Sequence, residues 1–520
     1  MNRLSSIGIA RVVHAIAAVT ALMFGTIAQA LPTTTVIVHG FTTGEKGSWV
    51  QAMAGAVLGR TGGVGSVYRY TGDTGVWTSV SGIGDGSAQN IVLIFNWVPE
   101  SAGVDSGPNW HYVQAAGDVL YAMMRDAAYA SGNSGPNDLA TGRVMHFMGH
   151  SRGACVISET IRRFALAGIP VDQMTTHDPH PVDGTLDSPY NFDWGDPTPM
   201  RWNNVTWADN YWRADGGGII NGLDFDGIPL SNVFNTGLSE SVLNSGGYSF
   251  SHSDVHLWYH GTVDLSPNPN DGEQTITNAM RSTWWAPDGY TQRGYYYSVI
   301  GGGSGLRPAI SAGVAPAADS APTIYNGDFD QGTYAGWSYH GGNGANVISE
   351  AGNWYDRLNS GAPTLTHNRF FVPSGPTQVS LKLRRNGTGS TNDVVKIALQ
   401  RDDDAQAIMI AASNWLVSGL TSSFATYNVT IPAGFGGRTC RMSVVLDGAG
   451  DGVNSTVDTD DVAIQVMTVS GDLTGDGLVN IDDLTQVILN WGSSGPAGDA
   501  NGDGFVNIDD LTMVILGWSS

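Results

Sequence analysis

Two cysteines, Cys155 and Cys440, are all that 520 residues contain, so no disulfide framework holds this fold together. Cys155 falls just inside a helical pattern, where a small buried thiol is expected, and Cys440 lies in a different region, so no bridge between them is expected. Basic residues are scarce as well: 24 Lys and Arg stand against 47 Asp and Glu, a formal net charge of −23. Such a surface argues against nucleic acid and anionic membranes as partners. After residue 30 no apolar run is long enough to span a membrane, so no transmembrane segment is expected there. What is present is a hydrophobic fraction of 41%, ample for packed cores, in a chain long enough for roughly two to four domains.

The first 30 residues read as an export signal. Arg3 and Arg11 form its basic part, Val12 to Ile27 its apolar core, and Ala28-Gln29-Ala30 a small-x-small cleavage site. The alternative is an uncleaved anchor, against which the short core and His14 argue. A secreted, extracellular protein is therefore expected. From Thr33 to about Arg307, strand patterns alternate with helical ones. Thr35 to Val38 and Ile91 to Phe95 are continuous apolar runs, as in strands buried on both faces. Trp110 to Ala130 has a helical apolar face. This is an α/β layout with a mainly parallel sheet. Residues 308–322, rich in Ala, Pro, Ser and Gly, read as a linker. Residues 323–468 lose helical periodicity, and alternating runs such as Gln378 to Leu383 and Val394 to Leu399 suggest a β-sandwich.

Glycine is the reverse of scarce, at 70 residues, and one pair is informative. Gly149-His150-Ser151-Arg152-Gly153 follows the apolar run Val144 to Met148 and precedes a helical stretch, Ala154 to Ala167. This is the G-x-S-x-G nucleophile elbow in its required strand–turn–helix setting. A chain this rich in glycine can also produce the pentapeptide as an ordinary turn. A serine nucleophile needs an oxyanion hole, an acid and a base. His39-Gly40-Phe41 follows the first buried strand, so the backbone amides of Phe41 and Arg152 are the expected oxyanion donors. Asp178, in Thr176-His177-Asp178-Pro179, is the expected acid, with Asp209 the competitor. The base is expected among His252, His256 and His260, with His256 preferred and His252 its rival. The spacing of those three also admits a metal site, but the first pair lacks the Glu of H-E-x-x-H.

In this order of motifs, residues 33 to about 307 resemble the α/β-hydrolase superfamily, and most of all its secreted lipase branch. Asp178-Pro179 soon after the elbow helix is similar to the pancreatic-type lipases; Arg152 departs from the Leu, Gln or Met often found there. The resemblance implies hydrolysis of carboxylic esters through an acyl-enzyme on Ser151, with lipid or acylated carbohydrate as substrate and no cofactor for the chemical step. A carbohydrate esterase is the first alternative. An extracellular binding protein with an inactive hydrolase domain is an alternative of another class.

The last 50 residues repeat themselves. The stretch from Asp472 to Leu484 returns 27 residues later as Asp499 to Leu511, each copy followed by an apolar helical pattern. These copies resemble type I dockerin modules. The resemblance implies paired, EF-hand-like calcium loops with a small helical fold. The implied ligands are Asp472, Thr474, Asp476, Asn480 and Asp483 with the Leu478 carbonyl. In the second loop they are Asp499, Asn501, Asp503, Asn507 and Asp510 with the Phe505 carbonyl. Thr474, a neutral hydroxyl, makes the first loop the weaker expected site. With eight Asp and no Lys or Arg in this region, folding is expected to require calcium. The resemblance also implies a cohesin-type protein partner, with Ile481-Asp482 and Ile508-Asp509 at partner-selecting positions. The middle region resembles carbohydrate-binding jelly rolls in Tyr325 to Phe329 with Gly336-Trp337, and in Val457 to Val462. A polysaccharide partner follows from that resemblance, with Trp354, Tyr355 and Trp415 as stacking aromatics or, more commonly, core residues.

Overall fold

A computed structural model of the chain describes residues 31–42, 47–71, 76–98, 100–102, 112–125, 138–184, 193–214, 219–220, 223–224, 226–285, 289–303, 306–317, 323–330, 332, 336–340, 345–359, 364–401, 407–448, 451–467, 469–475 and 478–518. The expected export signal lies outside these residues, as does Asp476.

The N-terminal region is a mixed sheet with helices on both faces. In chain order its elements are β1 (Thr33–Val38), α1 (Ser48–Arg60), β2 (Ser66–Thr71), β3 (Val76–Gly84), β4 (Asn90–Asn96), α2 (Tyr112–Arg125), β5 (Val144–His150) and α3 (Arg152–Leu166). Then come β6 (Val171–His177), β7 (Val205–Arg213), the ribbon β8 (Ile219–Ile220) and β9 (Leu223–Asp224), β10 (Phe234–Leu238), α4 (Glu240–Leu243), α5 (Ser251–Val263) and α6 (Asn278–Trp284). Eight strands stand in the order β10-β7-β6-β5-β1-β4-β2-β3. All neighbours pair in parallel except β3 on β2 at the edge.

The apolar runs form strands because both faces of the sheet are covered. Along β4, Ile91, Leu93 and Phe95 enter one core with α2 and α3 residues. Val92 and Ile94, alternating with them, enter the other core with α1 and α5 residues. The expected helix from Trp110 to Ala130 is seen as α2 over the described part.

The stretch expected to be a linker is held down where it begins. Arg201 donates to the Ser311 carbonyl, Val314 and the Arg201–Asn203 segment exchange backbone bonds, and Trp207 Nε1 donates to the Pro308 carbonyl at 2.9 Å. Proline lacks an N–H but keeps an acceptor carbonyl, so a Pro- and Ala-rich strap can be pinned by donors from the body it crosses.

Beyond it, β11 (Trp337–His340), β12 (Ala345–Glu350), β13 (Asn353–Asn359), β14 (Thr364–Val372), β15 (Thr377–Arg385), β16 (Val394–Arg401), β17 (Ala407–Met409), β18 (Trp415–Leu416), β19 (Ala425–Thr430), β20 (Arg438–Asp447) and β21 (Thr456–Val466) make two antiparallel sheets. Their orders are β11-β14-β20-β16-β17, with β18 on β16, and β12-β13-β21-β15-β19. The inward residues of both sheets share one core, including Leu381, Leu383, Ile397, Val444 and Val457. Trp354 and Trp415 pack against that core, and Tyr355 is buried under the Arg357 and Arg384 guanidinium groups.

The C-terminal repeat forms α7 (Ile481–Leu489) and α8 (Ile508–Leu516), closed on Val479, Val487, Val506 and Val514. Asn480 and Asn507 cap them in matching boxes with Asp483 and Asp510. Among the described residues no helix is long and apolar enough to cross a membrane.

Candidate active site

Ser151 sits between the last residue of β5 and the first of α3, at φ 56° and ψ −129°. A positive φ on serine is strained and persists only where its surroundings enforce it. Here they do. A Cβ on Gly149 would overlap the Gly153–Ala154 backbone, one on Gly153 the carbonyls of Val38 and His39, and one on Gly40 the Ser151 side chain. The two elbow glycines therefore let α3 start hard against the end of β1, and Gly40 lets the loop after β1 pass over the serine.

That loop and the helix start carry the two expected donors. Arg152 is the first residue of α3, so its N–H has no acceptor a turn earlier in the helix. Its side chain is buried and locks the turn. Nε and Nη2 bond Asp196 at 2.6 and 2.7 Å, Nη1 donates to the Ser101 carbonyl at 2.9 Å, and the guanidinium lies 4.7 Å from the Trp194 ring centroid and 5.3 Å from that of Trp97. Trp97 in turn donates from Nε1 to the His39 carbonyl at 2.8 Å. Phe41 is 44% exposed and stacks on Trp194 with centroids 5.9 Å apart.

Asp178 follows the last residue of β6, also at positive φ (47°), and is fully buried. Its Oδ1 accepts from the Arg213 N–H at 2.7 Å and the Gly227 N–H at 3.2 Å, and its Oδ2 lies 2.6 Å from His252 Nδ1. A side chain on Gly227 would strike that carboxylate. Burial pushes the Asp178 carboxyl up to about 6, against the lowering effect of the Arg213 N–H and guanidinium and of His150 and His180. Asp209, the competitor, is engaged elsewhere: it accepts from Thr175 Oγ1 at 2.6 Å, Tyr211 OH at 2.8 Å and Gln173 Nε2 at 3.2 Å.

The histidine that meets Asp178 is His252, not the expected His256. His252 is the second residue of α5; its ring and that of His256 both lie near His150, the neighbour of Ser151, at 4.7 and 4.8 Å between centroids, so the contact with Asp178 is what separates them. His256 is one turn deeper. It is 3% exposed and stacks on Trp49 with centroids 4.2 Å apart; its Nδ1 is 3.8 Å from Asp271 Oδ2, beyond hydrogen-bond range. Burial holds its imidazole well below its ordinary range, with His150 and His177 adding to the effect. It is a neutral packing ring. His260 is buried deeper still, and among the described residues no three His, Cys, Asp or Glu side chains are grouped as metal ligands.

Sequence reasoning missed Arg213, Asp196, Trp97 and Trp194. Only Arg213 leaves a trace in the pattern, as a cation closing the largely buried strand β7.

In the C-terminal loops the described oxygens are gathered by backbone N–H groups. Asp483 accepts from Leu473, Thr474 and Asn480 at 2.8–2.9 Å; Asp510 accepts from Ala500, Asn501 and Asn507 at 2.7–3.1 Å. Burial works to raise both carboxyls, but these N–H groups outweigh it and hold them below the usual range. Around the second loop, Asp499 Oδ1 and Asn501 Oδ1 both accept from the Asp503 N–H, at 3.1 and 2.8 Å. In these loops the described carboxylates face N–H donors, and no three of them are grouped as metal ligands.

No family model matches the chain, and no curated protein matches it. Among solved structures it is similar to the CBM22-1 xylan-binding domain of Paenibacillus barcinonensis Xyn10C (16% identity, 28% of this chain and 97% of that one, TM-score 0.21). It is similar too to a carbohydrate-binding module, CBM28, specific for non-crystalline cellulose (14%, 28% and 96%, TM-score 0.21). A third is the arabinose-bound MgGH51 α-L-arabinofuranosidase (18%, 34% and 30%, TM-score 0.21). Likenesses of this size leave activity and ligand to be argued from the chain's own residues.

Proposed function

We propose that the chain is a secreted serine hydrolase of carboxylic esters with an α/β-hydrolase fold, in which Ser151 is the nucleophile, His252 the base and Asp178 the orienting acid. The reading is carried by one observation: a serine strained to positive φ at a glycine-packed elbow, whose neighbour His150 lies against His252, the histidine whose Nδ1 is 2.6 Å from a buried carboxylate. With Nδ1 facing Asp178, the proton belongs on Nδ1, and Nε2 is the nitrogen that accepts one. Ser151 Oγ adds to the ester carbonyl as His252 takes its proton, and the Phe41 and Arg152 amides receive the oxyanion. The C–O bond to the alcohol then breaks as His252 returns the proton to the leaving oxygen. Water adds to the acyl-serine with His252 again as base, and the acid departs. Asp178 holds the ring and stabilises its protonated form throughout.

The C-terminal loops are assigned to calcium, held by the two sets of oxygens named above, with Asp476 completing the first. Calcium there would neutralise crowded carboxylates and order the helices that present Ile481, Ile508 and their neighbours to a cohesin-type partner. The sandwich is assigned to polysaccharide on the resemblance of Tyr325 to Phe329, Gly336-Trp337 and Val457 to Val462 to carbohydrate-binding jelly rolls.

Labelling with a fluorophosphonate and turnover of an ester panel, from acetylated xylan to long-chain triglyceride, test the catalytic reading. Wild-type protein should label and hydrolyse, and Ser151→Ala should do neither. Turnover retained in that variant sinks the assignment.

A further inference from the structure

Behind the site, one buried cation touches both the acid and the element that carries the base. Arg213 ends β7 and is 2% exposed. Its backbone N–H donates to Asp178 Oδ1 at 2.7 Å, and its Nε is 3.6 Å from Asp178 Oδ2. Its Nη1 donates to Ser251 Oγ at 2.7 Å, and its Nη2 pairs with Asp226 Oδ1. Ser251 is the first residue of α5 and His252 the second. A single guanidinium thus joins the strand that backs Asp178 to the helix start that carries His252.

Resting on the catalytic reading above, we propose that Arg213 is a positioning residue that keeps Asp178 ionised and fixes the start of α5 so that the carboxylate and the His252 ring stay in register. The physical need is plain. A fully buried carboxylate is destabilised in its charged form unless a cation or N–H donors face it. The other charged or titratable groups around Asp178 are histidines: His252 from α5, His150 from β5 and His180 from the loop after β6. The His150 ring is held neutral by burial, pushed down to about 3. Arg213 is the permanent cation of the set, because guanidinium does not deprotonate in proteins. Asp226 works against it by drawing the same guanidinium, and Glu240 accepts from Ser251 Oγ at 3.5 Å.

The two carboxylates make the proposal testable by opposite shifts. Arg213→Met should lower kcat by roughly 100-fold with little change in KM, and should move the acid limb of the kcat/KM profile up by about one pH unit. Arg213→Lys should restore much of the limb's position, since charge returns, but less of kcat, since the fork to Ser251 does not. Asp226→Asn should move the limb down, because one anion that competes with Asp178 for the guanidinium is removed. A residue that only stabilised the fold would not give two variants with limbs displaced in opposite directions. Should Arg213→Met fail to fold, Asp226→Asn decides alone: a limb moved down supports the proposal, and an unmoved limb overturns it. Fluorophosphonate labelling of the wild type separates the two levels. Labelled wild type with an unshifted Arg213→Met profile overturns this role alone, while unlabelled wild type overturns the catalytic reading and this role with it.

Discussion

The two ends of the molecule treat aspartate in opposite ways. At the elbow, Asp178 is buried to 0% exposure and its carboxyl is pushed up to about 6, even with two N–H donors and a guanidinium facing it. In the C-terminal loops, Asp483 and Asp510 take three backbone N–H groups each, and their carboxyls are held below the usual range. All three carboxylates have 0% exposure; the difference is how much protein surrounds each one, the body of an eight-stranded sheet domain around Asp178 and a two-helix repeat around the others, set against the number of donors. A carboxylate poised near neutrality responds to a histidine that gains and loses a proton beside it. One held firmly ionised suits an oxygen site for a cation. The same residue type serves two chemistries because the fold around it supplies different partners.

The largest effect that would break this contrast lies at Asp178. Asp178→Asn should lower kcat by about 10⁴-fold, since the amide cannot hold the Nδ1–H tautomer. Asp209→Asn, one strand over, should cost a few-fold at most. Equal losses in the two variants, measured on a p-nitrophenyl ester, would remove Asp178 from its special position. The histidines give the next effect. His252→Ala should lose about 10³-fold or more in kcat. His256→Ala should leave kcat within about tenfold but cost about 2–4 kcal/mol of stability through the cavity beside Trp49, read as a drop in melting temperature.

Acidity separates the two regions directly. Because the Asp178 carboxyl is raised, it is protonated below about pH 6, and His252 then loses its anionic partner. Activity should be present above that pH and fall away as pH drops through it. The contribution of this group to folding runs the other way: the folded state binds the proton more tightly than the unfolded chain, so stability from this source is greatest in acid and is lost as pH rises towards 6. Activity unchanged from pH 7 to pH 4.5 would remove Asp178 from the mechanism.

The elbow and its glycines are legible in the sequence because their requirement is local. Gly149 and Gly153 meet neighbours within a few residues or at the end of a recognisable strand. The apolar runs of β1 and β4 are legible for a similar reason, since burial on both faces erases alternation. The choice between His252 and His256 is not. They are one helical turn apart, and which of them meets Asp178 depends on where the start of α5 sits against β5 and β7. Arg213 contributes to that placement from a strand far away in sequence. Nor does the composition of residues 308–317 announce that carbonyls there accept from Arg201 and Trp207. A strap held chiefly through its carbonyls, with the Val314 N–H as a donor, has no periodicity to read.

The C-terminal loops supply the remaining, smaller tests. In the full chain, EDTA should abolish hydrogen-exchange protection over 478–518 while leaving the strands β4 to β6 protected; unchanged protection would reject a calcium requirement. The two loops differ at one ligand position, and that difference sharpens the comparison furthest. Asn501 stands where the first loop has Thr474, whose Oγ1 is 3.3 Å from Asp472 Oδ1. A hydroxyl offers calcium a neutral oxygen and no charge, whereas a carboxylate in its place adds attraction across a loop already partly screened by solvent. Thr474→Asp should tighten calcium binding to the first loop by up to about tenfold, measured by titration against a competing chelator. The same variant should lose protection over α7 sooner when calcium is withdrawn, because the added charge repels Asp472 and Asp483. Tighter binding together with weaker calcium-free protection is what separates a cation site from a carboxylate cluster satisfied by N–H groups alone; an unchanged affinity would leave Asp483 as a helix cap and nothing more.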